Sequence, residues 1–228
     1  MISAVMILLL IPATILLGVM YLEDRKYYFI SMLIIFYTLL PFALIFEERE
    51  PQARELMIIA VLTALAVAGR AAFFMLPQFK PVVAIVIIAG ISFGAESGFL
   101  VGAMAGFVSN FYFGQGPWTP WQMFCFGIIG FLAGLIFFNG KIRKSKKNLC
   151  IFGVLATFFI YGGIINIGAL FMFMPVFSLD ALLGMYVTAF WFDVIHSIAT
   201  GFFLFWLTDP MTEKLERVKT KYGLLEDR

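Results

Sequence analysis

The sequence predicts an all-α integral membrane protein with about eight transmembrane helices. Three observations lead to this fold class: 62% of the 228 residues are hydrophobic, only 13% are charged, and the mean hydropathy is +0.99. A soluble domain would carry about a quarter charged residues. The composition therefore excludes a water-soluble enzyme, a disordered linker and a nucleic-acid binder.

Residues 1–50 are predicted to form a transmembrane hairpin, with helices over about 3–22 and 27–46. Charged clusters end both helices, Glu23 to Lys26 after the first and Glu47 to Glu50 after the second. The first helix lacks the basic start and the small-residue cleavage site of a signal peptide, so it is expected to be retained.

Residues 51–208 are predicted to form a core of six further helices, followed by a charged tail over 209–228. The apolar stretch 81–113 would measure about 50 Å as one helix, longer than a hydrocarbon core of about 30 Å. It must therefore fold back, and the turn residues from Gly94 to Gly98 mark the reversal. The other four core helices cover about 54–76, 119–138, 150–173 and 182–207.

The distribution of basic residues favours an orientation with both termini in the cytoplasm. This orientation places the run from Lys141 to Lys147 and the basic residues of the tail inside, and it leaves only Arg25, Lys26 and Lys80 outside. An excess of positive charge on the cytoplasmic side is the rule for membrane proteins. The basic runs are expected to contact lipid headgroups, with a specific partner site as the alternative.

Small residues line one face of three predicted helices. Such stripes let another helix backbone approach closely. Internal packing and docking of a partner protein are both open for each stripe. The three stripes are Ala60, Ala64 and Ala68; Gly98, Gly102 and Gly106; and Gly127, Gly130 and Gly134.

Few ionisable residues fall within the predicted spans. Arg70 lies in the outer half of its helix, and Asp193 and His196 share one face of the last helix. A charge near the bilayer centre costs at least about 2.5 to 3.5 kcal/mol, so such residues are candidates for function. A structural ion pair between Arg70 and Asp193, direct or through water, and a ligand site are both open, whereas His196 is expected to be a packed core residue.

The segment 110–122 is the richest in side chains suited to binding. Trp118 and Trp121 offer rigid amphipathic surfaces, and Asn110, Gln115 and Gln122 offer neutral amides. An aromatic belt at the headgroup level would also explain the tryptophans, but it does not explain the gathered amides. An outward-facing cavity is expected to be completed by Tyr161, Asn166, Tyr186 and Trp191.

The sequence predicts no catalytic residue, cofactor or metal site. An HExxH motif, a pair of intramembrane aspartates and a Walker A motif are absent from it, so the chain is expected to be neither a protease nor an ATPase. Cys125 and Cys150 fall at different depths of the predicted helices, too far apart for a disulfide, and are predicted to be free thiols.

In their order and spacing, the motifs resemble the substrate-binding S components of energy-coupling factor (ECF) vitamin transporters. The resemblance covers about 54–225. It rests on the stripe Ala60, Ala64 and Ala68, on Lys80-Pro81, on the turn from Phe93 to Gly98 followed by Gly102, on Trp118 to Gln122, on Phe192 to His196, and on Lys221 to Leu225.

The resemblance implies a six-helix S-component core, preceded here by the additional N-terminal hairpin. Such a core binds a vitamin at its outer face and docks through Ala60, Ala64 and Ala68 onto a transmembrane coupling protein, which two cytoplasmic ATPases drive. The hairpin and the loop from Gly116 to Trp121 are similar to the cobalamin-specific subgroup, so cobalamin or a related corrinoid is the implied ligand. The alternatives are riboflavin, a queuosine precursor and a thiamin-related compound.

This interpretation predicts a multi-pass plasma-membrane subunit without catalytic activity, in contact with lipid and with no nucleic-acid partner. Two other functions stay open: a standalone secondary transporter, which would show inverted repeats and a midplane ion site, and an assembly subunit without a ligand. The predicted substrate-binding residues are Arg70, Lys80, Asn110, Gln115, Trp118, Trp121, Gln122, Tyr161, Asn166, Trp191 and Asp193.

Overall fold

The computed structural model of the protein describes residues 5–21, 33, 36–37, 53–138, 140–173 and 178–223. These residues form helices and the turns between them, and they contain no strand. The predicted all-α class is therefore confirmed. The predicted second helix, 27–46, lies almost entirely outside the described residues.

The described helices are numbered α1 to α7 in chain order. Three of them, α1, α5 and α6, include a stretch of π-helix. The bounds are Met6–Leu10 (π) and Ile11–Tyr21 for α1; Ala53–Ala72 for α2; Val82–Phe93 for α3; Ala95–Phe113 for α4; Thr119–Ala133 and Gly134–Phe138 (π) for α5; Lys146–Leu155, Ala156–Gly162 (π) and Gly163–Phe173 for α6; and Leu179–Tyr222 for α7.

Several of these helices have the length and composition of membrane spans. In the described part of the chain, four stretches are long and apolar enough to cross a membrane: Glu55–Ala72, Thr119–Phe138, Lys146–Phe173 and Leu179–Tyr222. Met6–Leu17 and Val82–Phe93 are shorter apolar helices.

The predicted fold-back between α3 and α4 is confirmed. Gly94 separates the two helices with a φ of +96°, a backbone conformation that glycine adopts without the steric cost of a side chain. All 12 residues of α3 are buried. At about 18 Å, α3 is shorter than a hydrocarbon core, and it forms the centre of the bundle.

The two glycine stripes pack α4 against α5. A Cβ added to Gly98 would meet the carbonyl group of Gly130, and one added to Gly102 would meet the backbone of Phe126 and Gly127. Glycine permits this close approach of two backbones because it carries no side chain to separate them. Both glycine stripes therefore serve internal packing, as one of the two sequence interpretations expected.

The alanine stripe of α2 is not used in this way. Ala60, Ala64 and Ala68 are exposed, although α2 buries its opposite face through Leu62 and Ala66, at 3% and 0% exposure. The exposed face has large apolar neighbours as well, namely Leu56, Met57, Val61 and Leu65.

Two helix boundaries near α2 and α6 differ from the predicted ones. α2 ends at Ala72 instead of residue 76, because the next residues form turns in which the backbone N–H of Phe74 bonds to the carbonyl of Ala71 and that of Leu76 to the carbonyl of Phe73. α6 begins at Lys146 instead of residue 150, because the Ser145 hydroxyl caps it and accepts a hydrogen bond from the backbone N–H of Asn148 at 3.2 Å.

The charged tail continues the last helix. α7 begins at Leu179, capped by the Ser178 side chain, and it runs through Pro210 to Tyr222, well beyond the predicted end at residue 207. Met211 and Leu215 pack against the core, which holds the tail to the bundle. We call this end of the bundle the basic end; there Lys144 and Lys219 both lie over the ring of Phe138.

Both cysteines are free, as predicted. Cys125 is buried in α5, and Cys150 is partly exposed in the first turn or two of α6.

Replacing Gly98 with Ala tests the glycine packing. We expect a loss of about 1 to 3 kcal/mol of stability, because the new methyl group would overlap the Gly130 carbonyl. The measurement is the thermal unfolding temperature of the purified protein in detergent. The matched control is Gly184→Ala, since a Cβ at Gly184 meets no atom within 4 Å; an equal effect of the two substitutions would contradict this account.

Candidate ligand-binding site

Arg70 reaches from the last turn of α2 to the end of α4. Its Nη1 donates hydrogen bonds to Ser109 Oγ and, at 2.8 Å, to Asn110 Oδ1. The guanidinium carbon also lies 4.7 Å from the ring centroid of Phe113, a cation–π distance. Neutral groups thus hold the cation that the sequence places inside the membrane.

Asn110 connects three helices through its side-chain amide. It is 0% exposed. Its Oδ1 accepts from Arg70 on α2, while its Nδ2 donates to Thr119 Oγ1 at 3.1 Å and to Gln122 Oε1 at 2.9 Å on α5. Both N–H groups of the amide and its oxygen are therefore engaged.

The hydrogen bonds continue from Asn110 in two directions. Thr119 Oγ1 donates to Gln115 Oε1 at 2.9 Å, and Gln115 Nε2 donates to the carbonyl of Phe107 at 3.0 Å. Gln122 Nε2 donates to the hydroxyl of Tyr161 at 3.5 Å. We call Arg70, Ser109, Asn110, Gln115, Thr119, Gln122 and Tyr161 the polar network, and the end of the bundle that contains it the polar end.

The π-helical stretch of α6, Ala156–Gly162, contains Tyr161. Wide turns of this kind are frequent at functional sites. The Tyr161 ring is buried between Phe126, with centroids 5.0 Å apart, and His196, with centroids 4.6 Å apart. His196 is 4% exposed, in agreement with its expected place in the core.

A second polar group forms where α7 passes the end of this π-helical stretch. Asn166 Nδ2 donates to Asp193 Oδ2 at 2.9 Å, and the hydroxyl of Tyr186 donates to the carbonyl of Gly163 at 2.9 Å. Gly162 allows the approach of Asp193, since a Cβ there would lie 2.8 Å from the carboxyl carbon. Asn166 and Asp193, both predicted as site residues, are thus in direct contact.

The direct ion pair between Arg70 and Asp193 is not formed. Arg70 binds Ser109 and Asn110, and Asp193 binds Asn166. The predicted positions of Arg70 and Asp193 along the membrane normal allowed this pair. In the structure, each charged group instead bonds to a neutral side chain on an adjacent helix.

The tryptophans occupy three different environments. Trp121 is 5% exposed, packs against Gly168 and lies parallel to Phe171, and its Nε1 has no hydrogen-bond partner in the described part of the structure. A buried indole does not fit the aromatic-belt interpretation. Trp118 is half-buried with its ring over Gly116, whereas Trp191 is 70% exposed and has its ring centroid 5.5 Å from that of Phe190.

Lys80 lies in the turn between α2 and α3. Its Nζ donates to the carbonyl of Leu76 at 3.0 Å. Burial, and after it the nearby charge of Arg70, lower the pKa of Lys80. The turn that follows α2 therefore carries a second cation.

Where the sequence predicts an outward-facing cavity, the described side chains of the polar network pack against one another. Asn110 and Thr119 are 0% exposed and Tyr161 is 7% exposed, and these side chains bond to one another. A ligand at this position would have to replace some of these hydrogen bonds.

Sequence reasoning missed Ser109 and Phe113 as partners of Arg70. The signal was available, because Ser109-Asn110 is a polar pair in an otherwise apolar stretch of α4. Sequence reasoning also overlooked that residues 90–94, Gly-Ile-Ser-Phe-Gly, have the GxSxG spacing of hydrolases. Ser92 is 2% exposed within α3 and not at a strand-to-helix turn, so it is no nucleophile.

A sequence model of the family described as "ECF transporter, substrate-specific component" matches residues 54–210. The match covers more than half of the chain and contains the whole polar network. The chain belongs to this family, whose members are transporter subunits without catalytic activity. It is accordingly a multi-pass protein of the plasma membrane.

Among curated proteins, the chain is similar to several named UPF0397. It is 33% identical over 116 residues to one from Aliivibrio fischeri (strain MJ11), which covers 46% of this chain and 63% of that protein. It is 30% identical over 127 residues to one from Vibrio atlanticus, which covers 51% and 68%. The chain thus spans slightly less than two thirds of the Aliivibrio relative. No solved structure matches it.

Replacing Asn110 with Leu tests the role of this residue in the network. We expect a loss of about 1 to 3 kcal/mol for each buried partner left unsatisfied, seen as a lower unfolding temperature in detergent. The control is Asn148→Leu, since Asn148 Nδ2 bonds only the exposed carbonyl of Arg143 among the described residues. Equal stability of the Asn110→Leu variant and the wild type would contradict the proposed connection of α2, α4 and α5.

Proposed function

We propose that this subunit binds cobalamin or a related corrinoid at the polar end and docks through the alanine stripe onto a transmembrane coupling protein driven by two cytoplasmic ATPases. The observation that carries the proposal is the division of α2 into two faces. One face exposes Ala60, Ala64 and Ala68, and the other leads from Ala66 to Arg70 in the polar network.

The exposure of the alanine stripe supports docking of a partner helix. A helix–helix interface in lipid depends on close backbone approach, which small residues permit. The two glycine stripes pack against helix backbones within the bundle, whereas the alanine stripe is exposed and packs against no described helix. The alanine stripe is thus a surface against which a helix of another membrane protein can pack.

The charge distribution supports an orientation with the polar end outside the cell. The basic end carries Lys144, Lys146 and Lys219 together with the exposed run 141–144, so the positive-inside rule assigns it to the cytoplasm. The polar end, with Arg70 and Lys80 as its described cations, then faces the medium from which a nutrient is taken.

The chemistry of the polar end supports a ligand rich in neutral amides. Asn110, Gln115 and Gln122 can exchange hydrogen bonds within the network for bonds to such a ligand, and Trp118 offers a flat aromatic surface. A corrinoid is large, has a conjugated macrocycle and is fringed with amides. Entry would require the loop around Gly116 to open, and the same loop would then close over the ligand.

Two single substitutions separate docking from binding. Ala64→Trp is expected to abolish co-purification with the coupling protein while the Kd for cyanocobalamin stays unchanged, because the bulky ring blocks backbone approach. Trp118→Ala is expected to keep co-purification and to weaken cyanocobalamin binding by about 1 to 3 kcal/mol. Pull-down from co-expressing cells and isothermal titration in detergent are the measurements.

The matched control is Val187→Trp, which adds a large ring to a position of α7 that is 74% exposed. It should leave both properties intact. Unchanged co-purification of the Ala64→Trp variant would contradict docking through the alanine stripe, and unchanged affinity of the Trp118→Ala variant would contradict its contact with the ligand.

A further inference from the structure

We propose that Arg70 recognises an anionic group, a carboxylate or a phosphate, on the transported ligand. The inference rests on the proposed function and adds the charge of the substrate to it. The juxtaposition that carries it is a cation at the edge of the polar network that has only neutral hydrogen-bond partners among the described residues, with a second cation, Lys80, in the turn that follows its helix.

The guanidinium of Arg70 is only partly engaged by the protein. Among the described residues, Nη1 alone has hydrogen-bond partners, the neutral oxygens of Ser109 and Asn110. Arginine carries five N–H donors in a fixed planar fork. The remaining donors match the two oxygens of a carboxylate or phosphate, which guanidinium binds in bidentate fashion.

At the basic end, three of the described cations have carboxylate partners. There Lys146 pairs with Asp209 at 2.6 Å, Lys219 pairs with Glu216 at 2.9 Å, and Arg217 pairs with Glu213. Within the described part of the chain, no comparable salt bridge exists at the polar end. The two ends therefore treat their positive charges differently.

An acidic side chain is available near the polar network but is not used for Arg70. Asp193 accepts a hydrogen bond from Asn166 and makes no salt bridge to a described residue. Arg70 therefore has no anionic partner among the described residues, and a charge inside the membrane without such a partner is costly in free energy. The cation–π contact of Arg70 with the Phe113 ring offsets only part of this cost. An anionic group of a ligand would therefore interact strongly with Arg70.

The proposed corrinoid satisfies this requirement through the phosphodiester of its nucleotide loop. Other vitamins would satisfy it through a carboxylate or a phosphate monoester. The shared chemistry is one anionic group presented to Arg70, and pairs of compounds identify which source is used. The flavin, biotin and pantothenate pairs differ only in this group, whereas the corrinoid pair differs in the whole nucleotide loop that carries the phosphodiester.

The experiment compares such pairs by isothermal titration of the purified full-length protein in detergent. The pairs are cyanocobalamin and dicyanocobinamide, flavin mononucleotide and riboflavin, biotin and biotinamide, and pantothenate and pantothenol. We expect the tightest ligand to be an anionic member and its neutral counterpart to bind about tenfold to a hundredfold more weakly.

Variants assign this preference to Arg70. Arg70→Gln should bring the anionic member down to the affinity of its neutral counterpart, and Arg70→Lys, which keeps the charge but loses the fork, should retain part of the preference. The matched control is Arg217→Gln, which removes a positive charge from the exposed tail at the basic end. It should leave both affinities unchanged.

The outcomes separate this inference from the proposed function. A neutral member that binds wild-type protein as tightly as its anionic counterpart, or a preference that survives Arg70→Gln, overturns the inference and leaves the proposed function standing. Failure of both cyanocobalamin and dicyanocobinamide to bind the wild-type protein overturns the proposed function. Should Arg70→Gln fail to fold, the wild-type pairs and Arg70→Lys decide the question.

Discussion

The bond between Arg70 and Asn110 is the interaction on which the rest of the polar end depends. Lipid offers no water to a polar side chain, so each polar group within the bundle needs a partner from the protein. Asn110 meets this requirement for three helices at once, because its amide accepts from α2 and donates to α5. The glycine contacts between α4 and α5 make the geometry possible by bringing the two backbones together.

The same sequence pattern has opposite uses in different helices. Gly98 and Gly130 pack against each other inside the bundle, whereas Ala64 lies on its surface. The buried face of α2 ends at Arg70 in the polar network, and its exposed face carries the small side chains of the alanine stripe. One helix therefore joins the surface proposed for docking to the site proposed for the ligand, so that a change at either one acts on the same rigid element.

Local chemistry made part of this structure predictable from the sequence. Composition fixes the membrane class, the turn residues at Gly94 predict the reversal, and the amides around Asn110 predict a polar site. The sequence shows the polar pair Ser109-Asn110 but not that Arg70 binds it, because depth along a helix does not tell which neighbour lies closest. Spacing likewise could not tell a buried stripe from an exposed one, and the packing of Met211 that extends α7 to Tyr222 depends on contacts distant in sequence.

The central claim is that this subunit selects a nutrient and needs other proteins to move it. The most direct measurement is uptake of labelled cyanocobalamin into sealed lipid vesicles that contain the purified chain, with and without the coupling protein, the two ATPases and ATP. The account predicts accumulation only when all partners and ATP are present. Uptake by the chain alone would contradict it and would favour a secondary transporter.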